Sequence, residues 1–234
     1  KPPETPCRKA LPMNGLFVVG TDTDVGKTVV SSILMAAAPQ HTRYWKPFQT
    51  GYPADCDTRT VQNLANLNEH RVLNDGLRLQ LPASPHHAAY VENSTVSLTP
   101  LFELLEREKS PKTTWVVEGV GGLMVPLNDQ TCLPTFIHAL ELPCVVVAST
   151  KLGTINHTLL TVAQLETLKI PTLGILMVGE EDPSATSGIQ QHSPIPILGH
   201  LPHLATLSPK SIATCVPLIH EINPIMKNLN GDMR

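Results

Sequence analysis

Four apolar runs stand out along the chain: Leu16-Phe17-Val18-Val19, Trp115-Val116-Val117, Cys144-Val145-Val146-Val147-Ala148 and Leu173-Gly174-Ile175-Leu176-Met177-Val178. None alternates with polar residues, so each is predicted to be a strand buried on both faces, as in a parallel sheet covered by helices. Arg43-Tyr44-Trp45 and Ile197-Leu198-Gly199 read as two shorter strands. Helix spacing recurs between them. Val29 to Ala38 forms a helix stopped by Pro39, Asp57 to Ala65 sets Val61, Leu64 and Ala65 on one face, and Leu98 to Lys109 does the same with Leu101, Leu104 and Leu105. A further helix is expected from about Thr158 to Leu168, after an exit loop running from Lys151 to Thr158. Ser84-Pro85 suggests a capped helix start, and Ser208 to Met226 a helix broken at Pro217 and Pro224. Strands alternating with helices predict an α/β fold: a single domain with a mainly parallel sheet flanked by helices on both faces. Residues 1–12, with prolines at 2, 3, 6 and 12, read as an unstructured lead-in, and 13–234 as the one domain.

Composition narrows the function. The 234 residues are enough for a substantial core, and 22 prolines imply many loops and short helices. A net charge of −3 and 4% aromatic residues argue against nucleic acid as a partner, since that requires basic clusters and stacking rings. No apolar run approaches a membrane span, and no signal-peptide pattern is present. Five cysteines, scattered and without a C-x-x-C, suggest reduced thiols and a cytoplasmic protein rather than a disulfide framework.

The chemistry centres on Gly20-Thr-Asp-Thr-Asp-Val-Gly26-Lys27-Thr28, set between the first strand and the first helix. Such a loop holds a nucleoside triphosphate: backbone N–H groups at the helix N-terminus face the anion, the lysine adds positive charge and the threonine hydroxyl ligates Mg²⁺. The general G-x-x-x-x-G-K-[ST] pattern is missed by one residue. Either the loop is one residue longer or Thr21 takes the place of the first glycine. In open parallel sheets the ligand sits at the C-terminal strand ends, and the remaining polar clusters fall there too. Glu118 ends a strand beside Gly119, Gly121 and Gly122, where a carboxylate can hold Mg²⁺ or simply cap a loop. Asp57, at a helix start, is a metal ligand or an N-cap. Lys46, at the end of the second strand, can offset charge that develops during phosphoryl transfer. Thr50 follows in a turn. Lys151 to His157 offers a second anion site at a helix opening, for a phosphate or a carboxylate. Adjacent His86 and His87 lack a third ligand at metal spacing, so packing or a hydrogen bond is expected of them.

Taken in order, GTDTDVGKT (20–28), YWKPFQTG (44–51), SPHHAA (84–89), VVEGVGG (116–122), KLGTINHTLLT (151–161) and LGHLP (198–202) resemble the dethiobiotin synthetase family of biotin synthesis, with its P-loop NTPase-type fold. The longer phosphate loop is the form that family uses. The resemblance implies an ATP-dependent cyclo-ligase that carboxylates 7,8-diaminopelargonic acid with CO₂ from bicarbonate. It then phosphorylates the carbamate and closes the ureido ring, giving dethiobiotin, ADP and phosphate. It also implies a homodimer with active sites at the interface. By position, Lys27 and Lys46 would be catalytic, and Thr28, Asp57 and Glu118 would bind Mg²⁺. Asp24, Val25, Gly26, Val29, Gly119, Gly121, Gly179, Glu180, Pro202, His203 and Leu204 would surround the nucleotide. Thr21 and Thr50 would contact substrate, and Gly153, Thr154 and Asn156 would hold its carboxylate from across the dimer interface.

Three departures stand out. Gly179-Glu180 occupies the place where an adenine-reading Asn is common, which weakens the expectation of a strict ATP preference. Thr50 replaces a common Ser, and Asp24 a common Glu. Among rivals, a switch-type GTPase lacks its N-K-x-D here, and a partitioning ATPase would carry an extra lysine near the start of the loop. A cobyrinate amidotransferase would bring a glutaminase domain, which is not expected after residue 202.

Overall fold

A computed structural model describes residues 11–231. In chain order its elements are β1 (Asn14–Gly20), α1 (Lys27–Ala37), β2 (Thr42–Trp45), β3 (Phe48–Gln49), α2 (Asp57–Leu64), β4 (Val72–Leu73) and β5 (Leu77–Arg78). They continue with α3 (Pro85–Val91), α4 (Thr99–Glu108), β6 (Thr114–Gly122), α5 (Leu133–Leu140), β7 (Cys144–Ser149) and α6 (Thr154–Thr167). The last are β8 (Thr172–Val178), α7 (Pro183–His192), β9 (Ile197–Leu201), α8 (Pro209–His220) and α9 (Asn223–Asn230).

Seven strands form one sheet in the order β4-β2-β6-β1-β7-β8-β9, with every pairing parallel. The apolar runs are explained by two covered faces. In β1, Leu16 and Val18 pack with α1, α2, α8 and α9, while Phe17 and Val19 face the core built by α3 to α7. Side chains that alternate in direction therefore meet apolar partners either way. Alternation also aims the polar residues. Tyr44 lies in register with Val116, and both belong to the α1 face, so Lys46 and Glu118, each two residues further on, are carried to that same face.

The predicted α/β architecture matches the structure, but several local expectations do not. The helix expected from Thr158 begins four residues earlier, at Thr154, because Gly153 adopts a left-handed conformation (φ 96°) that turns the loop directly into α6. Pro217 lies inside α8 rather than breaking it, whereas Pro224 sits in the first turn of α9, where its missing N–H costs nothing. Ser84 does precede α3, but its hydroxyl pairs with His86 Nδ1 at 3.0 Å instead of capping the helix. Helices α5 and α7 and the small β3–β5 sheet were not anticipated. Residues 1–10 of the expected lead-in lie outside the described residues; Leu11 is buried and its N–H donates to Ala139 O, so packing starts ahead of Met13.

One buried cation holds the phosphate-loop helix against its neighbours. Arg71 donates to the carbonyls of Met35, Ala38, Pro39 and Thr42 at 3.0–3.3 Å, joining the C-terminal end of α1 and the turn after it to the start of β2. Arg71→Ala is expected to cost about 3 kcal/mol in urea unfolding, since four buried carbonyls lose a charged donor. A loss below about 1 kcal/mol would show that water replaces the guanidinium without penalty.

Candidate active site

The turn between β1 and α1 wraps its own lysine. Lys27 Nζ donates to Asp22 O at 2.8 Å, and a Cβ at position 20 would lie 2.7 Å from that same backbone oxygen, so glycine is required there. Gly26 ends the turn with φ 100°, a left-handed conformation that presents the first N–H groups of α1. Burial and the nearby Lys46 ammonium lower the Lys27 pKa to about 8.

Four elements converge beside it. Lys46 Nζ bonds Asp57 Oδ2 at 2.6 Å, Glu118 Oε1 at 2.8 Å and Gly119 O at 3.0 Å. Thr28 Oγ1 lies 2.8 Å from Asp57 Oδ1 and 3.0 Å from Glu118 Oε1. Tyr44, fully buried, donates its hydroxyl to Glu118 Oε2 at 2.9 Å. Burial works against the Lys46 ammonium, but Glu118 and Asp57 outweigh it and hold its pKa above the ordinary lysine value. Burial alone would raise Asp57, yet Lys46 and the hydrogen bonds from Lys46 and Thr28 keep its pKa below the usual value. Burial and the Glu118 carboxylate push the Tyr44 phenol well above its normal range, so it remains a donor.

Backbone contacts hold these groups in place. Arg78 Nη1 donates to Lys46 O at 3.0 Å. Gln49, almost fully buried, accepts from Asp57 N at 2.9 Å and donates to Thr50 O at 3.0 Å, tying the loop after β3 to the start of α2. Asp57 is thus the first residue of α2 with Cys56 as N-cap, and its carboxylate reaches toward Lys46 and Thr28 rather than capping the helix. Three hard oxygen donors, Thr28 Oγ1 and one carboxylate each from Asp57 and Glu118, lie within a single hydrogen-bond step of one another. Such a donor set fits a small divalent cation such as Mg²⁺.

Two adjoining cavities meet at this point. The first, of about 330 Å³, is lined by the predicted Asp24, Gly26, Lys27, Thr28, Val29, Lys46, Thr50, Asp57, Glu118 and Gly121, and by Thr23, Gln49, Asp55 and Val120, which the sequence reading missed. The second, of about 820 Å³, shares Asp24, Gly26 and Val29 and adds the predicted Val25, Gly179, Glu180, Pro202, His203 and Leu204. Lys151, the first residue of the expected second anion site, also lines it, as do Ser149, Thr150 and Glu181, which were not anticipated. Thr21, Gly119, Gly153, Thr154 and Asn156 border neither cavity. Gly119 contributes its carbonyl to Lys46, Thr154 is buried with its hydroxyl 3.4 Å from Thr158 Oγ1, and Gly153 and Asn156 are exposed. His86 and His87 border neither cavity as well. Tyr44 and Gln49 carried one available signal: both fall inside the YWKPFQTG stretch, two positions before Lys46 and one before Thr50.

Comparison with known proteins gives the family of the chain, though not its site residues. A family model described as an AAA domain matches residues 14–211. Over 197 residues the chain is 40% identical to the ATP-dependent dethiobiotin synthetase BioD of Agrobacterium fabrum, covering 84% of this chain and 90% of that one. The chain belongs to the ATP-dependent dethiobiotin synthetase family. The BioD of Paramagnetospirillum magneticum is 39% identical over 210 residues, 88% of this chain and 96% of its own. Among solved structures, a ParA family ATPase from Chlorobium tepidum TLS superposes with a TM-score of 0.58 at 10% identity, over 93% of this chain and 98% of that one. The cell division ATPase MinD of Pyrococcus furiosus gives 0.52 at 12% identity, over 94% and 98% of the two chains. These two likenesses show the fold alone. No helix among the described residues is long and apolar enough to cross a membrane.

Proposed function

We propose that this member of the dethiobiotin synthetase family makes dethiobiotin from 7,8-diaminopelargonic acid, CO₂ and ATP, with its chemistry in the smaller cavity between α1 and β6. The observation that carries this reading is the convergence of Lys27, Thr28, Lys46, Asp57 and Glu118 on one cavity beside the phosphate turn. One amine adds to CO₂ as a carbamate, and a carbamate oxygen attacks the terminal phosphorus of ATP, releasing ADP. The second amine then attacks the carbonyl carbon of this mixed anhydride, phosphate leaves and the ureido ring closes. Two anions must approach each other for the phosphorylation, so the site needs concentrated positive charge. Lys27 faces the phosphates and Lys46 the carbamate. Thr28, Asp57 and Glu118 would hold Mg²⁺, which would further neutralise the phosphate oxygens when bound.

Asp24, Gly26 and Val29 border both cavities, which supports a single elongated ligand with its phosphates in the smaller cavity and its base in the larger. Gly153, Thr154 and Asn156 bind the substrate carboxylate of a partner subunit, a role supported by the exposure of Gly153 and Asn156 at the opening of α6. Thr50, which lines the smaller cavity, contacts the diamine, whereas Thr21 lies outside both cavities and is given no such role. The decisive assay follows phosphate release with ATP, Mg²⁺, bicarbonate and the diamine, omitting each in turn. Release is expected only with all four; equal release without the diamine would reduce the chain to an ATPase.

The base end makes its own prediction. No Asn or Gln is among the described residues lining the larger cavity, the Gly179 N–H is taken by Leu201 O at 3.0 Å, and a Cβ at position 179 would lie 2.2 Å from Thr150 Oγ1. Strong discrimination comes from a site whose polar groups a wrong substrate leaves unpaired. Lacking an amide to do this, the enzyme is expected to use ATP, CTP and GTP with kcat/KM values within about tenfold of one another. A preference for ATP above about 100-fold would contradict this and point to Glu180 or Glu181 as the reader.

A further inference from the structure

We infer that Tyr44 is the residue that orients Glu118, dividing its two oxygens between a fixed anchor and the cavity; the inference rests on the metal role proposed for Thr28, Asp57 and Glu118. Glu118 has no exposed surface, and its donors are sorted by oxygen. Oε1 receives Lys46 Nζ at 2.8 Å and lies 3.0 Å from Thr28 Oγ1, whose single proton is shared with the closer Asp57 Oδ1; both residues line the cavity. Oε2 receives Tyr44 Oη at 2.9 Å, its one donor among the described residues. Tyr44 does not line the cavity. It sits two residues before Lys46 on β2 and beside Val116 on β6, so the strand register alone puts its hydroxyl within reach of a carboxylate two residues along the neighbouring strand.

A carboxylate rotates readily about its last bond, because sp³–sp² torsions are broad. Lys46 and Thr28 cannot prevent this during turnover, since one must serve the carbamate and the other the metal. Tyr44 has no other task and stays. With Oε2 bound inside the core, Glu118 offers the cavity one oxygen in a fixed direction. Phenylalanine at position 44 would keep the packing, leave Oε2 unpaired and free the carboxylate to turn. Tyr44 acts through Glu118 and touches neither substrate nor metal, so its signature belongs to metal binding rather than to the fold.

The test titrates Mn²⁺ into the full chain with ADP present, following free Mn²⁺ by electron paramagnetic resonance, for the parent, Tyr44→Phe and Glu118→Gln. Loss of an outer partner typically weakens a metal about tenfold or more, which is the shift expected for Tyr44→Phe, with metal-free ADP affinity unchanged. In turnover, the same variant should need a matching rise in Mg²⁺ to reach half-maximal rate, with kcat largely restored at saturation. If Glu118→Gln weakens Mn²⁺ while Tyr44→Phe does not, the inference about Tyr44 is overturned and the metal role of Glu118 stands. If neither variant weakens it, the metal role itself is wrong. Should Tyr44→Phe fail to fold, a crystal structure of the parent with Mn²⁺ and ADP decides. Oε1 on the metal with Oε2 still bound to Tyr44 supports the inference; a carboxylate turned away from Tyr44 overturns it.

Discussion

Lys46→Ala is expected to lower turnover by on the order of 10²–10³-fold or more while nucleotide affinity stays close to that of the parent. The separation follows from geometry. The Lys46 ammonium is held by Asp57, Glu118 and the Gly119 carbonyl, whereas the Lys27 ammonium is held by the Asp22 carbonyl of the phosphate turn. Removing it deletes charge where the carbamate and the terminal phosphate must meet, not where the phosphate chain is cradled. Stability carries a second signature. Buried Glu118 and partly buried Asp57 would face each other without their cation, and breaking a buried pair costs up to about 3–5 kcal/mol. The variant should therefore unfold at lower temperature in chelator and regain much of the loss with Mg²⁺, which can replace the missing charge. Phosphate release, calorimetric ADP binding and thermal unfolding with and without Mg²⁺ measure these effects. Turnover at the parental rate would remove Lys46 from the mechanism.

Lys27→Ala should show the complementary pattern. Lys27, only 7% exposed as a residue, turns its ammonium onto the loop that precedes α1, where the N–H groups of Lys27, Thr28 and Val29 lack intrahelical partners. A charge-assisted hydrogen bond contributes about 1.5–3 kcal/mol, so ADP binding should weaken roughly 10- to 150-fold. The fold should not suffer, because burial and the repulsion from Lys46 already disfavour the Lys27 charge. Calorimetry with ADP and thermal unfolding without nucleotide separate the two. Unchanged affinity would mean that the phosphates do not lie in this turn.

Much of this was legible in the chain. The apolar runs identified four of the strands in the sheet core because strands covered on both faces need no polar alternation. The phosphate turn was legible because its chemistry is local: strand, glycines, Lys27-Thr28 and helix are contiguous, and backbone geometry alone makes an anion site. Helix α5, LPTFIHAL, was missed because a short apolar octamer with Pro134 in its first turn reads equally well as a buried strand or a loop. Helix α7 was missed because its apolar residues are few, with only Ala185 and Ile189 buried. The α6 boundary was misplaced because the positive φ at Gly153 that starts the helix leaves no mark in the hydrophobic pattern.

The residue types of the site were thus written in the sequence, each at the end of a strand or the start of a helix, since local order and a parallel sheet together send such residues to one edge. Their partnerships were not. That Glu118 meets Lys46 and Tyr44 at once depends on register between strands far apart in the chain. That Asp57 pairs with Lys46 and Thr28 instead of capping α2, or that Arg71 closes the end of α1, depends on how the loops and helices pack beside β2. β2 meets β6 across about seventy residues of sequence, and the alternation of side chains places Tyr44, Lys46 and Glu118 on one face only in that register. A shift of one residue would leave every motif intact and dismantle the site.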